Sequence, residues 1–129
     1  MLRSIALLAL GLLSATPVLA IDQRAISQLQ KLDPAERLQQ RCDVEAMERI
    51  RHDQNAFRPD KVIAYTFAEP QLSGDAMKAP GAVFRSGGDW YKLKYKCATS
   101  ANNIQVKSFE YKLGALVPRS DWTKYYLYD

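Results

Sequence analysis

Three kinds of side chain in this 129-residue sequence could do chemistry: one histidine, a group of helical carboxylates and two cysteines. His52 is the only imidazole, and it stands between Arg51 and Asp53 where a helical pattern ends. A protonated ring there favours the helix dipole, which is the ordinary setting of a surface histidine. Asp43, Glu45 and Glu48 could pair for hydrolysis, and an enzyme built on them would show a concave cleft with Glu45 or Glu48 at its floor. Helical spacing spreads them around the axis, however, with Arg41, Arg49 and Arg51 among them. Glu45 and Arg49 are four apart, an ion pair worth a few tenths of a kcal/mol on a helix surface. Carboxylates beside arginines are held ionised, the wrong direction for a general acid. A nucleophilic cysteine needs a thiolate and a nearby base. The sequence contains no nucleophile elbow, phosphate loop, zinc-protease helix or dinucleotide fingerprint. One histidine and two cysteines are too few for a metal centre. No catalytic residue, metal ligand or cofactor is assigned, and the chain is expected not to be an enzyme.

A different chemistry is written in "GGDWYKLKYKC", residues 87–97. A turn leads into a strand with Tyr91, Leu93, Tyr95 and Cys97 on one face and Trp90, Lys92, Lys94 and Lys96 on the other. Alternate residues of a strand lie roughly 6.5 to 7 Å apart, so the lysines form a positive row roughly 13 Å long, with Trp90 at one end. Such a row can hold an anionic polymer or a headgroup layer, each lysine contributing about 1 kcal/mol near an acidic membrane. The same pattern also suits a solvated sheet face, where lysine guards against edge pairing, and Glu110 and Lys112 on the next strand are expected to break up the field. The binding candidates are Trp90, Lys92, Lys94 and Lys96, then Arg49, which projects beside the apolar stripe of its helix, and Arg119.

The compartment is read from the first residues. Arg3, the apolar run Ile5 to Leu13 and "TPVLA" ending at Ala20 make residues 1–20 a signal peptide, with one domain over 21–129. The run falls short of the about 20 apolar residues a membrane span needs, though a retained anchor is the alternative. Net charge is +4 for the whole chain, and loss of Arg3 leaves a mildly basic domain without the concentrated patch expected of a nucleic-acid binder. In an oxidising compartment an even pair of cysteines, Cys42 and Cys97, is more often a disulfide than two free thiols. The bridge closes a loop of about 55 residues, for which loop entropy gives on the order of 4 kcal/mol.

The positioning elements follow from periodicity. Ile21, Ala25, Leu29 and Leu32 suggest a short first helix. "LDPAER" sets a second start, with Asp33 as N-cap, Pro34 at the first position and Glu36 completing a capping box. Ala35, Leu38, Cys42, Ala46 and Ile50 then make an apolar stripe in a helix ending near Asp53. Beyond Pro59, "KVIAYTF" reads as a strand and "QLSGDAMKAPG" as a loop. Three strands follow, joined by Gly87-Gly88 and by a wider turn at "ATSANN", with a bulge near Lys107-Ser108 where the side-chain parity changes. Trp122 and the last tyrosines are expected to fold back over the sheet. The expected fold is α+β: one or two N-terminal helices on one face of an antiparallel sheet of about four strands, fastened by a helix-to-sheet disulfide.

With "LDPAERLQQRCDVEAMERI", "PDKVIAYTF", "PGAVFRSGGDWYKLKYKC" and "VKSFEYKLGALVPRSDW" in view, the chain resembles a family of alphaproteobacterial exported proteins known as domain of unknown function nine-thirty. The resemblance runs from about Leu32 to Trp122 and implies an envelope location, a compact domain and the cysteine pair. Similar domains also end longer, membrane-anchored chains with proline-rich stalks, which suits a binding module, whereas this chain carries only a signal peptide. The expected function is a periplasmic, non-enzymatic binding or adaptor module that contacts an envelope protein, an anionic envelope polymer or lipid headgroups. The alternative is a secreted inhibitor of an envelope or host hydrolase, such as a lysozyme or protease, inserting "QLSGDAMKAPG".

Overall fold

Proline at a first helical position and apolar residues three and four apart set the main helix. The computed structural model describes residues 21–129; the expected leader, residues 1–20, lies outside them. Helix α1, Gln23–Leu29, is capped by Asp22, whose carboxylate accepts from the Ala25 amide at 2.8 Å. Helix α2 spans Pro34–Asp53, with Asp33 at its N-cap. Asp33 makes no side-chain capping bond, so the capping box read from the sequence does not form. Leu38, Cys42, Ala46 and Ile50 are buried as the stripe requires, while Ala35, in the first turn, stays exposed.

Five strands follow: β1 (Pro59–Ile63), β2 (Gln71–Ser73), β3 (Ala76–Ser86), β4 (Asp89–Thr99) and β5 (Val106–Leu116). They form one antiparallel sheet in the order β1-β3-β4-β5, with β2 also paired to β3. The expected loop "QLSGDAMKAPG" is a hairpin instead, which raises the strand count to five. Pro80 and Gly81 signal a loop by composition, yet here they sit in a bulge between Ala79 and Ala82 inside β3, one of the few places a sheet interior accepts proline. Above that bulge the chain from β1 to β2 crosses over, the Phe67 amide donating to the Gly81 carbonyl at 2.8 Å. A Cβ on Gly81 would collide with the backbone nitrogen of Ala68. The crossing also ends β1 at Ile63, so the last four residues of "KVIAYTF" are not strand. Gly87 and Gly88 have φ of +59° and +81° between paired Ser86 and Asp89, the two-residue turn that suits strand twist. The expected bulge in β5 falls at Lys107: Ala98 faces Ser108 and Thr99 faces Val106.

The main core lies between α2 and one sheet face, where Leu38, Ala46 and Ile50 meet Met77, Phe84, Leu93 and Tyr95. Burying a leucine or isoleucine contributes about 1.5 to 3 kcal/mol each. Cys42 and Cys97 form the helix-to-sheet disulfide within this layer, their Cα atoms 6.0 Å apart. Among the described residues the other face is covered at one end only. After β5 a 3-10 turn, Arg119–Asp121, leads the chain back over it, and Val117, Trp122 and Leu127 pack on Val83 and Trp90. Among the described residues no helix is long and apolar enough to cross a membrane.

Candidate functional site

The helical carboxylates occupy three different environments. Glu45 is buried, and both its oxygens are engaged: Oε2 accepts from Arg41 at 3.0 Å and Oε1 from Arg49 at 2.9 Å. Arg41, buried as well, also donates through Nε to the Ile104 carbonyl at 2.7 Å, tying α2 to the segment before β5. A cleft of about 220 Å³ does open between α1 and α2, lined by Ile21, Asp22, Ala25, Arg41, Val44, Glu45 and Glu48. Both oxygens of its buried carboxylate accept from guanidinium donors, charge-assisted hydrogen bonds that fix its position. Glu48 pairs loosely with Arg51 at the surface. His52 is hydrogen-bonded to Asp53, whose carboxyl is held below its ordinary range by hydrogen bonds with His52 and Tyr111.

Asp43 departs from the expectation that these carboxylates stay ionised at low pH. Half-buried on the side of α2 that faces the sheet, it accepts a 2.6 Å hydrogen bond from Tyr95 Oη. Burial pushes its carboxyl up to about 7, against the opposing pull of that bond and of the Lys61 charge. The Tyr95 hydroxyl is raised too, by burial and the adjacent carboxylate. The pair links residues 43 and 95, each close in sequence to one half of the disulfide, so a polar and a covalent tie cross the same interface. Among the described residues no three His, Cys, Asp or Glu side chains gather as a metal site.

The lysine row lies on the opposite sheet face. Lys92, Lys94 and Lys96 are exposed and alternate with buried Leu93, Tyr95 and Cys97. Sheet register adds two lysines to them. Lys112 of β5 lies directly opposite Lys94, and Lys78 of β3 directly opposite Lys96. Lys112 therefore reinforces the field it was expected to interrupt, leaving Glu110, beside Lys96, as the acid within the array. Like charges directly opposite each other destabilise a sheet. Among the described residues none of these five lysines forms an ion pair; the Nζ of Lys92 lies 4.8 Å from the centre of the Phe67 ring. Open grooves of about 310, 360 and 380 Å³ run along the face. Lysine stems form their walls, and Ala79, Pro80, Gly81 and Ala82 contribute to their floors.

The other binding candidates are placed elsewhere. Trp90 is on the lysine face but fully buried beneath the C-terminal segment, its indole donating to the Tyr128 carbonyl at 2.8 Å. It anchors that segment and offers no surface to a ligand. Arg85 lies over the rings of both Trp90 and Tyr128 and is paired with Asp60. Arg119 stands on the covering segment, exposed, 4.6 Å from the Trp122 ring and paired with Asp129. Arg49 is in the helix layer, on the far side of the sheet, half-buried and bound to Glu45. Only Lys92, Lys94 and Lys96 of the six come together. Lys78 was missed because its segment reads as a loop; carrying β3 back from the Gly87-Gly88 turn through Pro80-Gly81, with one bulge allowed, would have placed it opposite Lys96.

A family model described as Domain of Unknown Function (DUF930) matches residues 29–127. No curated protein and no solved structure matches the chain.

Proposed function

The chain belongs to the DUF930 family, and we propose that it works as a binding module for an anionic component of the cell envelope, exported and oxidised outside the cytoplasm. One observation carries the reading: the lysine pairs Lys94–Lys112 and Lys78–Lys96 directly opposed on one exposed face. A sheet face needing only solubility is better served by alternating signs, since opposed like charges cost stability. An anionic ligand offsets that repulsion when it binds. The disulfide supports the compartment, because such bridges persist where thiols are not kept reduced. The saturated state of Glu45 supports binding over hydrolysis. In-cell photocrosslinking from position 94, followed by mass spectrometry, tests the proposal. A specific envelope adduct that disappears in Lys78→Ala/Lys112→Ala is expected; adducts no different from those at control position Ser27 on α1 rule the face out.

A second reading, inhibition of an envelope or host hydrolase, is favoured by the exposed hairpin tip Ser73–Asp75 between β2 and β3. Inhibition assays against lysozymes and proteases test it, with loss of inhibition in Asp75→Ala as the expected sign.

A further inference from the structure

We infer that the lysine face and the C-terminal segment together dock on the surface of an anionic lipid bilayer; this rests on the lysine-face reading above and names its ligand. Charge is divided unevenly along the chain. Residues 22–53, the helix layer, hold seven acids against six arginines and lysines, whereas residues 55–129 hold eleven bases against seven acids. The basic excess is displayed by the lysine array on a broad, open sheet surface. That shape presents several ammonium groups at once to a plane of headgroups and does not enclose a small solute.

The covering segment supplies the second observation. Tyr126 is 89 % exposed and adopts φ +59°. It occupies the position after a helical turn where the Leu127 amide donates back to the Trp122 carbonyl at 2.8 Å, a conformation that glycine enters most readily. A bulky ring held in that conformation, packed on little of its own chain, is displayed to the outside. Its neighbour Tyr125 packs on Phe67 with centroids 4.4 Å apart, and Lys92 lies over that same Phe67 ring, which sets this segment against the Lys92 end of the row. A tyrosine beside lysines is the pairing that suits the bilayer interface, where the ring enters the headgroup layer and the ammonium groups meet phosphate.

The test measures cosedimentation of the purified protein with vesicles of phosphatidylglycerol and phosphatidylcholine in equal parts, and with phosphatidylcholine alone. A leader still attached contributes equally to wild type and variants, so the change between them isolates the lysine face. Strong preference for the anionic vesicles is expected. It should fall on the order of 100-fold in Lys94→Gln/Lys96→Gln/Lys112→Gln, at roughly five-fold per lysine, and several-fold in Tyr126→Gly without loss of thermal stability. Long-chain polyphosphate in solution separates the two levels of the argument. Lysine-dependent binding to polyphosphate with no preference for anionic vesicles overturns the bilayer inference and leaves the anion-binding function standing. Binding to neither overturns both, and vesicle binding unaffected by Tyr126→Gly removes the tyrosine from the docking face.

Discussion

Asp43 shows how one residue can couple the fold to pH. Its carboxyl is carried from the ordinary 3.8 to about 7 by burial, so between those values the folded protein holds a proton that the unfolded chain has released. Stability attached to that proton is whole below pH 3.8 and is lost as the pH rises to about 7, by on the order of 4 kcal/mol. The substitution Asp43→Asn would keep an acceptor for the Tyr95 hydroxyl without carrying a charge to bury. Thermal melts of that variant and wild type should therefore diverge between about pH 4 and pH 7, the variant gaining, and run parallel above it. Parallel curves across the whole range would show that the carboxyl is solvated and titrates normally. The sequence could not announce this behaviour: Asp43 reads as one of three helix carboxylates among arginines. Only the register of β4 against α2 brings the Tyr95 hydroxyl to it in place of a guanidinium.

The disulfide was legible at the scale of elements because two unrelated periodicities converged on it. Cys42 falls within a stripe repeating every three to four residues and Cys97 ends a row repeating every two, so each had to face the helix–sheet interface. Replacing both by alanine should lower stability on the order of 4 kcal/mol, since 55 positions separate them and closing such a loop restricts the unfolded chain. Calorimetry should find the midpoint roughly 10 to 20 °C lower, with the far-ultraviolet spectrum of the folded protein unchanged; an equal midpoint would mean that noncovalent packing alone sets the interface. Where reading failed, local composition and long-range pairing disagreed. Pro80-Gly81 looks like a loop to any local rule, and becomes strand only because a bulge there lets β1 and β2 share one edge of β3. With the first half of β3 read as loop, Lys78 could not be placed opposite Lys96, and one-fifth of the lysine array was out of view. The bulge at Lys107, by contrast, was visible because a parity change within one strand needs no partner to be noticed.

Among the described residues of the molecule the sheet has one face packed by α2 and the disulfide, and another only partly covered. Trp90 marks the boundary. Its place in the alternation of β4 puts it among the lysines, and strand periodicity alone cannot say that a segment near the C-terminus will close over it. What covers it is apolar: Trp122 and Leu127 are both buried on it, at about 1.5 to 3 kcal/mol for a side chain of leucine size. Each indole also finds a carbonyl, Trp90 at Tyr128 and Trp122 at Val117, so the segment satisfies its own polar groups as it seals the core. Deleting residues 119–129 removes Trp122 and leaves Trp90 as the sole tryptophan of a chain that has two, which makes emission a direct report on the uncovered face. The truncated protein should keep its disulfide and sheet, lose several kcal/mol of stability, and shift its emission to the red as the Trp90 indole meets water. A blue-emitting, undiminished truncation would mean that Trp90 is sheltered by the sheet itself and that the C-terminal segment is free to serve the lysine face without holding the fold.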